Sequence, residues 1–189
     1  MPKQSFGDMA CSIARTVDVI GERWTLLILR DLFAGISRFE DLRRDLGVAP
    51  NVLTDRLQRL EEHGIISRHK YQDRPVRFEY HLTGKGRDLF PVLAAIVAWG
   101  DRWADHETGP PALLIHQPCG RPAGARPVCS ECGEELSADT VRIAPGPGGR
   151  PGPGTALLGR LLSRFESSPL EKTSVSSPPH SVPTRPSAR

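Results

Sequence analysis

RFEDLRRDLGVAPNVLTDRLQRLEEHG, residues 38–64, holds two apolar stripes at helical spacing. Phe39, Leu42 and Leu46 recur at intervals of three and four, and so do Leu53, Leu57 and Leu60, so each segment predicts a short amphipathic helix with one buried face. Between them Gly47 suits the left-handed residue that ends a helix, and Pro50 suits the first turn of the next. Ser37 with Glu40 three residues later reads as a capping box for the first helix. Turning both stripes inward leaves Asn51, Val52, Thr54, Asp55, Arg56 and Arg59 facing out on a second helix running from Pro50 to His63. Amide, hydroxyl and guanidinium groups at a helix start suit base edges in a major groove. A helical hairpin with a glycine turn occurs in many small domains, so the flanking sequence has to decide.

After Gly64 the period changes. Residues 65–71 (IISRHKY) predict a strand, residues 72–75 (QDRP) a turn, and residues 76–82 (VRFEYHL) a second strand that alternates apolar with polar. A helix-turn-helix followed at once by a β-hairpin is a winged helix. Arg68, Lys70, Arg74 and Arg77 on this hairpin face one acid, Asp73, between residues 65 and 78, and such cations suit phosphates or a minor groove. A solvated hairpin can also be basic without a ligand.

The 189 residues fit one domain with attachments. Residues 1–109 carry sixteen Lys or Arg and sixteen Asp or Glu, so the net charge of +3 comes from the remainder, and any DNA-binding argument rests on local charge. No apolar run reaches membrane-span length, and residues 1–7 (MPKQSFG) lack a signal-peptide core. A cytoplasmic location is expected, with the four cysteines as thiols or metal ligands rather than disulfides.

Upstream, Ile13, Val17 and Ile20 form a stripe on one helix, and Trp24, Leu27, Ile28, Leu29 and Leu32 make the next helix apolar on most of its surface. That second helix is the expected floor of the helix-turn-helix pair, with Trp24 as core filler. Residues 20–32 (IGERWTLLILRDL), 38–42 (RFEDL), 53–64 (LTDRLQRLEEHG) and 80–86 (YHLTGKG), together with Cys11, make the chain resemble the HxlR-type winged helix-turn-helix transcriptional regulators over residues 8–104. The resemblance implies a homodimer on an inverted-repeat operator and no catalysis. One departure is Ala49, where the family often has a serine cap. The resemblance also makes Cys11 a candidate redox or electrophile sensor, with Arg15 one turn on to favour its thiolate; the competing reading is a small core residue at a helix start.

Thr83-Gly84-Lys85-Gly86 is expected to cap a long terminal helix from Arg87 to His106, with Pro91 in its first turns. Its Leu89, Leu93, Ile96, Val97, Trp99 and Trp103 exceed what one small domain covers, which points to a two-fold interface aided by the N-terminal helix. Packing against the first helix alone is the alternative.

His116-Gln117-Pro118-Cys119-Gly120 and Cys129-Ser130-Glu131-Cys132-Gly133 repeat one form: a ligand, two residues, a cysteine, a glycine. This is zinc-knuckle spacing, and His116, Cys119, Cys129 and Cys132 would give a closed, structural tetrahedron. Free thiols, or a redox pair at Cys129 and Cys132, are the alternatives. From residue 144 the Pro, Gly and Ser content predicts disorder, except that Leu157, Leu158, Leu161, Leu162 and Phe165 could line one face of a short helix.

The expected architecture is mainly α with a small β-hairpin. A winged helix-turn-helix domain with a long terminal helix spans residues 1–109, a zinc-ribbon-like appendage 110–143 and a disordered tail 144–189. The expected function is sequence-specific binding of double-stranded DNA as a homodimer on a palindrome, open to tuning by thiol redox state or a small molecule, without membrane contact. Arg43, Arg44, Lys70, Arg74 and Arg77 would hold phosphates, and Pro50, Asn51, Val52, Thr54, Asp55, Arg56 and Arg59 would enter the groove. Two other classes fit less well: a winged helix serving only as a protein-interaction module, and a thiol redox protein. No histidine base or carboxylate set is placed for catalysis.

Overall fold

The computed structural model describes residues 5–104, 109–144 and 146–163. The expected end of the terminal helix at His106, the contribution of Phe165 to a short helix, and the disorder expected beyond residue 163 lie outside these residues.

Four helices come first: α1 (Ser12–Ile20), α2 (Thr25–Phe33), α3 (Phe39–Leu46) and α4 (Pro50–Glu62). Gly47 takes the left-handed conformation (φ 61°) that ends α3, and Pro50 stands in the first turn of α4. Helix α2 is the floor: Ile28, Leu29 and Leu32 pack with Leu42 of α3, Leu53, Leu57 and Leu60 of α4, and Ile65 and Ile66 beyond it. Each such leucine contributes roughly 1.5–3 kcal/mol by leaving water. Trp24 packs half-buried against this core, as N-cap of α2 rather than inside it, with the Arg23 guanidinium over its ring.

The wing is β1 (Ile66–Asp73) paired antiparallel with β2 (Val76–Leu82), from Ile66 opposite Leu82 to Asp73 opposite Val76. The strands run closer to the turn than the sequence predicts, and a register shift at Tyr71 absorbs the extra residue. Arg38 forms an isolated β-bridge with Glu79, and the Tyr80 amide donates to the Ser37 carbonyl at 2.8 Å, so the chain entering α3 is tied to the edge of the wing. This pairing displaces the expected capping box. Ser37 turns to Glu79 (3.4 Å), Glu40 pairs with Arg43, and α3 has no side-chain cap.

The expected single terminal helix is two pieces, α5 (Gly84–Arg87) and α6 (Phe90–Trp103). Pro91 has no N–H to offer the Arg87 carbonyl and its ring would crowd that group, so the helix restarts with the proline in its first turn. The stripe on α1 is also only partly inward: Ile20 is buried, whereas Ile13 and Val17 are exposed.

Residues 113–136 form two small hairpins. In one, β3 (Ile115–His116) pairs with β4 (Arg121–Pro122); in the other, Val128 bridges Glu135. No described residue between 109 and 144 is buried. The last element, α7 (Ala156–Ser163), is the short helix expected within the tail, and Gly154 just before it lies against Met9. No described helix is long and apolar enough to cross a membrane.

Candidate nucleic-acid interface

Because Leu53, Leu57 and Leu60 fix the buried face of α4, the opposite face is set by helical geometry. Asn51, Thr54, Asp55, Gln58 and Glu62 are exposed along it. Ala49 precedes the helix in extended conformation without a side-chain cap, and the Thr54 hydroxyl bonds back to the Pro50 carbonyl at 2.9 Å. Two expectations need correction. Val52 packs against the core instead of facing out. Arg56 turns toward the body of the domain, where its guanidinium reaches Glu22 at 3.0 Å and Asp55 at 2.7 Å, and its side chain keeps only 18% exposure. Its buried Nε has no partner. Gln58 belongs to the outward face as well, although it is not among the residues expected there; counting four residues on from Thr54 finds it.

The cations divide into paired and free. Arg43 pairs with Glu40 at 3.0 Å, Arg44 with Asp41 at 3.5 Å, Arg68 with Glu61 at 3.2 Å and Lys70 with Asp73 at 2.6 Å. These exposed pairs are weak and exchange readily with solvent or phosphate. Among the described residues Arg59, Arg74 and Arg77 have no acidic partner. Arg74 and Arg77 lie at the wing tip and are exposed.

The motif after the wing locks the interface together. Thr83 donates from its hydroxyl to the Gly64 carbonyl at 2.7 Å and accepts from the Gly86 amide at 3.1 Å. Its own amide donates to the Ile65 carbonyl at 3.0 Å. Lys85 caps the end of α4 through the His63 carbonyl at 2.8 Å, and Arg87 bonds the Leu82 carbonyl at 2.8 Å. Gly86 is buried so close to the Ile65 carbonyl that any Cβ there would collide with it. The end of the recognition helix and the root of the wing are therefore one rigid joint.

Away from this face, Cys11 is the half-buried N-cap of α1, and Arg15 follows one turn later. In the appendage His116 Nδ1 lies 3.3 Å from Cys119 Sγ. Cys129 and Cys132 form the second pair, with the Cys129 thiol drawn below its ordinary value of 9.0 by the backbone amides of Cys132 and Glu131 and by the Cys132 side chain. The two pairs stand apart: among the described residues no group of three or more His, Cys, Asp or Glu side chains is placed to hold a metal ion.

A helix-turn-helix with an exposed polar recognition face, joined rigidly to a cationic β-wing, defines a DNA-binding transcriptional regulator of the winged-helix class. The chain belongs to the HxlR-like helix-turn-helix family, whose model matches residues 19–108. It is 45% identical over 137 residues to the uncharacterized HTH-type transcriptional regulator Rv3095 of Mycobacterium tuberculosis, covering 72% of this chain and 87% of that one. The HTH-type regulator sll1512 of Synechocystis is 42% identical over 105 residues, 55% of this chain and 78% of its own. The crystal structure of PA1607, described as a candidate transcription factor, superposes with a TM-score of 0.67 at 36% identity, covering 75% of this chain and 99% of that one. Since only 108 residues precede position 109, the 137-residue match to Rv3095 reaches into the appendage.

Proposed function

We propose that the chain acts as a homodimer that binds a palindromic operator, with α4 in the major groove and the wing on the flanking backbone. The observation that carries this reading is the exposed row Asn51, Thr54, Asp55 and Gln58 on α4, set beside the unpaired Arg74 and Arg77 of the wing. The row offers amide, hydroxyl and carboxylate groups to base edges, while Arg43, Arg44, Lys70, Arg74 and Arg77 hold phosphates and fix register.

Dimerisation is supported by apolar surface left uncovered on two helices. Ile13 and Val17 of α1 and Ile96, Trp99 and Trp103 of α6 are exposed, with both tryptophans near two-thirds of full exposure. Large apolar groups concentrated in this way favour a partner surface, and a two-fold pair would place two recognition helices about 34 Å apart, one DNA turn. The chain works in the cytoplasm without catalysis, and an effector acts either on the Cys11 thiol or as a bound small molecule.

Fluorescence anisotropy with the region upstream of its own gene, beside sedimentation for mass, tests the reading. A dimer that protects a palindrome, and whose base preference relaxes in Asn51→Ala and Gln58→Ala, supports it. A monomer, or a dimer indifferent to DNA sequence, overturns it in favour of a protein-interaction module. Repeating the titration with a mild oxidant on the native chain and on Cys11→Ser separates the two effector classes.

A further inference from the structure

The appendage contains the same small structure twice. His116 follows directly on Ile115 of β3, and Cys129 follows directly on Val128 of the second hairpin. In each the first residue's carbonyl accepts from the amide four residues on: Gly120 to His116 at 2.8 Å, Gly133 to Cys129 at 2.9 Å. Both glycines are left-handed, with φ 66° and 76°, a conformation that strains any other residue. In each a cysteine stands three residues after the first group, just before the glycine. A hairpin tip shaped this way turns two side chains toward one point.

We propose that His116, Cys119, Cys129 and Cys132 together bind one zinc ion, which joins the two hairpin tips into a ribbon. The donor set of one imidazole and three thiolates matches closed tetrahedral zinc sites. The 3.3 Å between His116 Nδ1 and Cys119 Sγ is close to the roughly 3.5 Å that separates two such ligands of one tetrahedral ion. The halves are shaped separately and the ion closes them, with Ala123-Gly124-Ala125 between the hairpins as the hinge.

Energetics points the same way. Leu113, Ile115, Val128 and Leu136 are all exposed, so no apolar core holds either hairpin, and a two-stranded hairpin is marginal alone in water. An ion bound only by the folded arrangement supplies that stability. With all four positions taken by protein there is no site for substrate, so the zinc is structural.

The test uses the full chain with Cys11 replaced by alanine, purified in reductant without chelator and equilibrated with equimolar zinc. Elemental analysis should give about one zinc per chain. The three remaining thiols should resist a thiol reagent until a chelator strips the metal, and then all react. Cobalt in place of zinc should give the intense visible bands of a tetrahedral site, shifted in His116→Ala and lost in Cys132→Ala. A chain that stays metal-free with three immediately reactive thiols overturns the proposal, as does a Cys129–Cys132 disulfide formed without metal release. Unchanged cobalt bands in His116→Ala overturn the ligand set. Metal stoichiometry of the chain with all four ligands intact keeps the result independent of how the ligand variants fold.

Discussion

Arg56 Nη2 lies 3.0 Å from Glu22 Oε2, with the two side chains 18% and 29% exposed, so the recognition helix is tied by charge to the turn that leads into α2. Truncating one member of a half-covered pair leaves the other charge poorly solvated, at about 1–3 kcal/mol. The unpartnered Nε of Arg56 is relieved by the same change, which favours the lower half of that range. Arg56→Ala is expected to shift the urea midpoint downward and to weaken specific and non-specific DNA alike. Unchanged stability with relaxed base preference would put Arg56 back on the reading face.

Arg74 and Arg77 behave differently because no acid competes for them. Removing one cation from a phosphate takes about one unit off the slope of log affinity against log salt. Arg74→Ala and Arg77→Ala should therefore weaken all sequences to a similar degree and flatten that slope. Anisotropy titrations at several salt concentrations read it directly, and a steep, unaltered slope in the double variant would move the wing off the DNA.

Local signals in the sequence survived into the structure. Gly47 and Pro50 punctuate α3 and α4 as their backbone chemistry requires, and the change from helical to alternating period after Gly64 marks the wing. What failed depended on distant partners. The capping box at Ser37 is locally sound, yet β2 draws Ser37 away from it, the carbonyl accepting from the Tyr80 amide and the hydroxyl turning to Glu79. Arg56 sits at an outward position on a helical wheel, and only the fold brings Glu22 to it. The motif at Thr83 reads as a simple cap, whereas its larger task is joining α4 to the wing through carbonyls that sequence does not mark.

Ala49 is the N-cap of α4 and has no polar side chain to cap it. Its extended backbone (φ −64°, ψ 141°) already suits a capping side chain, and it is exposed. Ala49→Ser should add about 1 kcal/mol to the unfolding free energy, measured by urea titration of the full chain. No gain would mean that the serine hydroxyl does not reach the Asn51 or Val52 amide.

At Gly86 the expected change is in the opposite direction. A methyl group meets the Ile65 carbonyl, backbone that is itself fixed by the Thr83 amide, so neither side can yield cheaply. Gly86→Ala is expected to destabilise by roughly 1–3 kcal/mol and to loosen the wing. Proteolysis within residues 66–82 should rise more than within α2. Equal susceptibility of both would show that this joint does not organise the wing.

Asp31 gives the fold a pH dependence. It is 2% exposed, accepts from Arg30 Nε at 2.8 Å, and leaves Oδ2 buried without a partner. Desolvation raises its pKa above the ordinary 3.8, and Arg30 offsets this only in part. A raised folded value means that the native state holds the proton more tightly than the unfolded chain. The contribution to stability is therefore fully present below the ordinary value and is lost as pH rises through the folded one. Asp31→Asn removes the titration, so native stability relative to this variant should fall as pH increases from the ordinary 3.8 upward. Urea titrations of both proteins across that range measure the difference. A difference that grows with pH would mean that the Arg30 charge outweighs desolvation and that the carboxylate is the favoured native form.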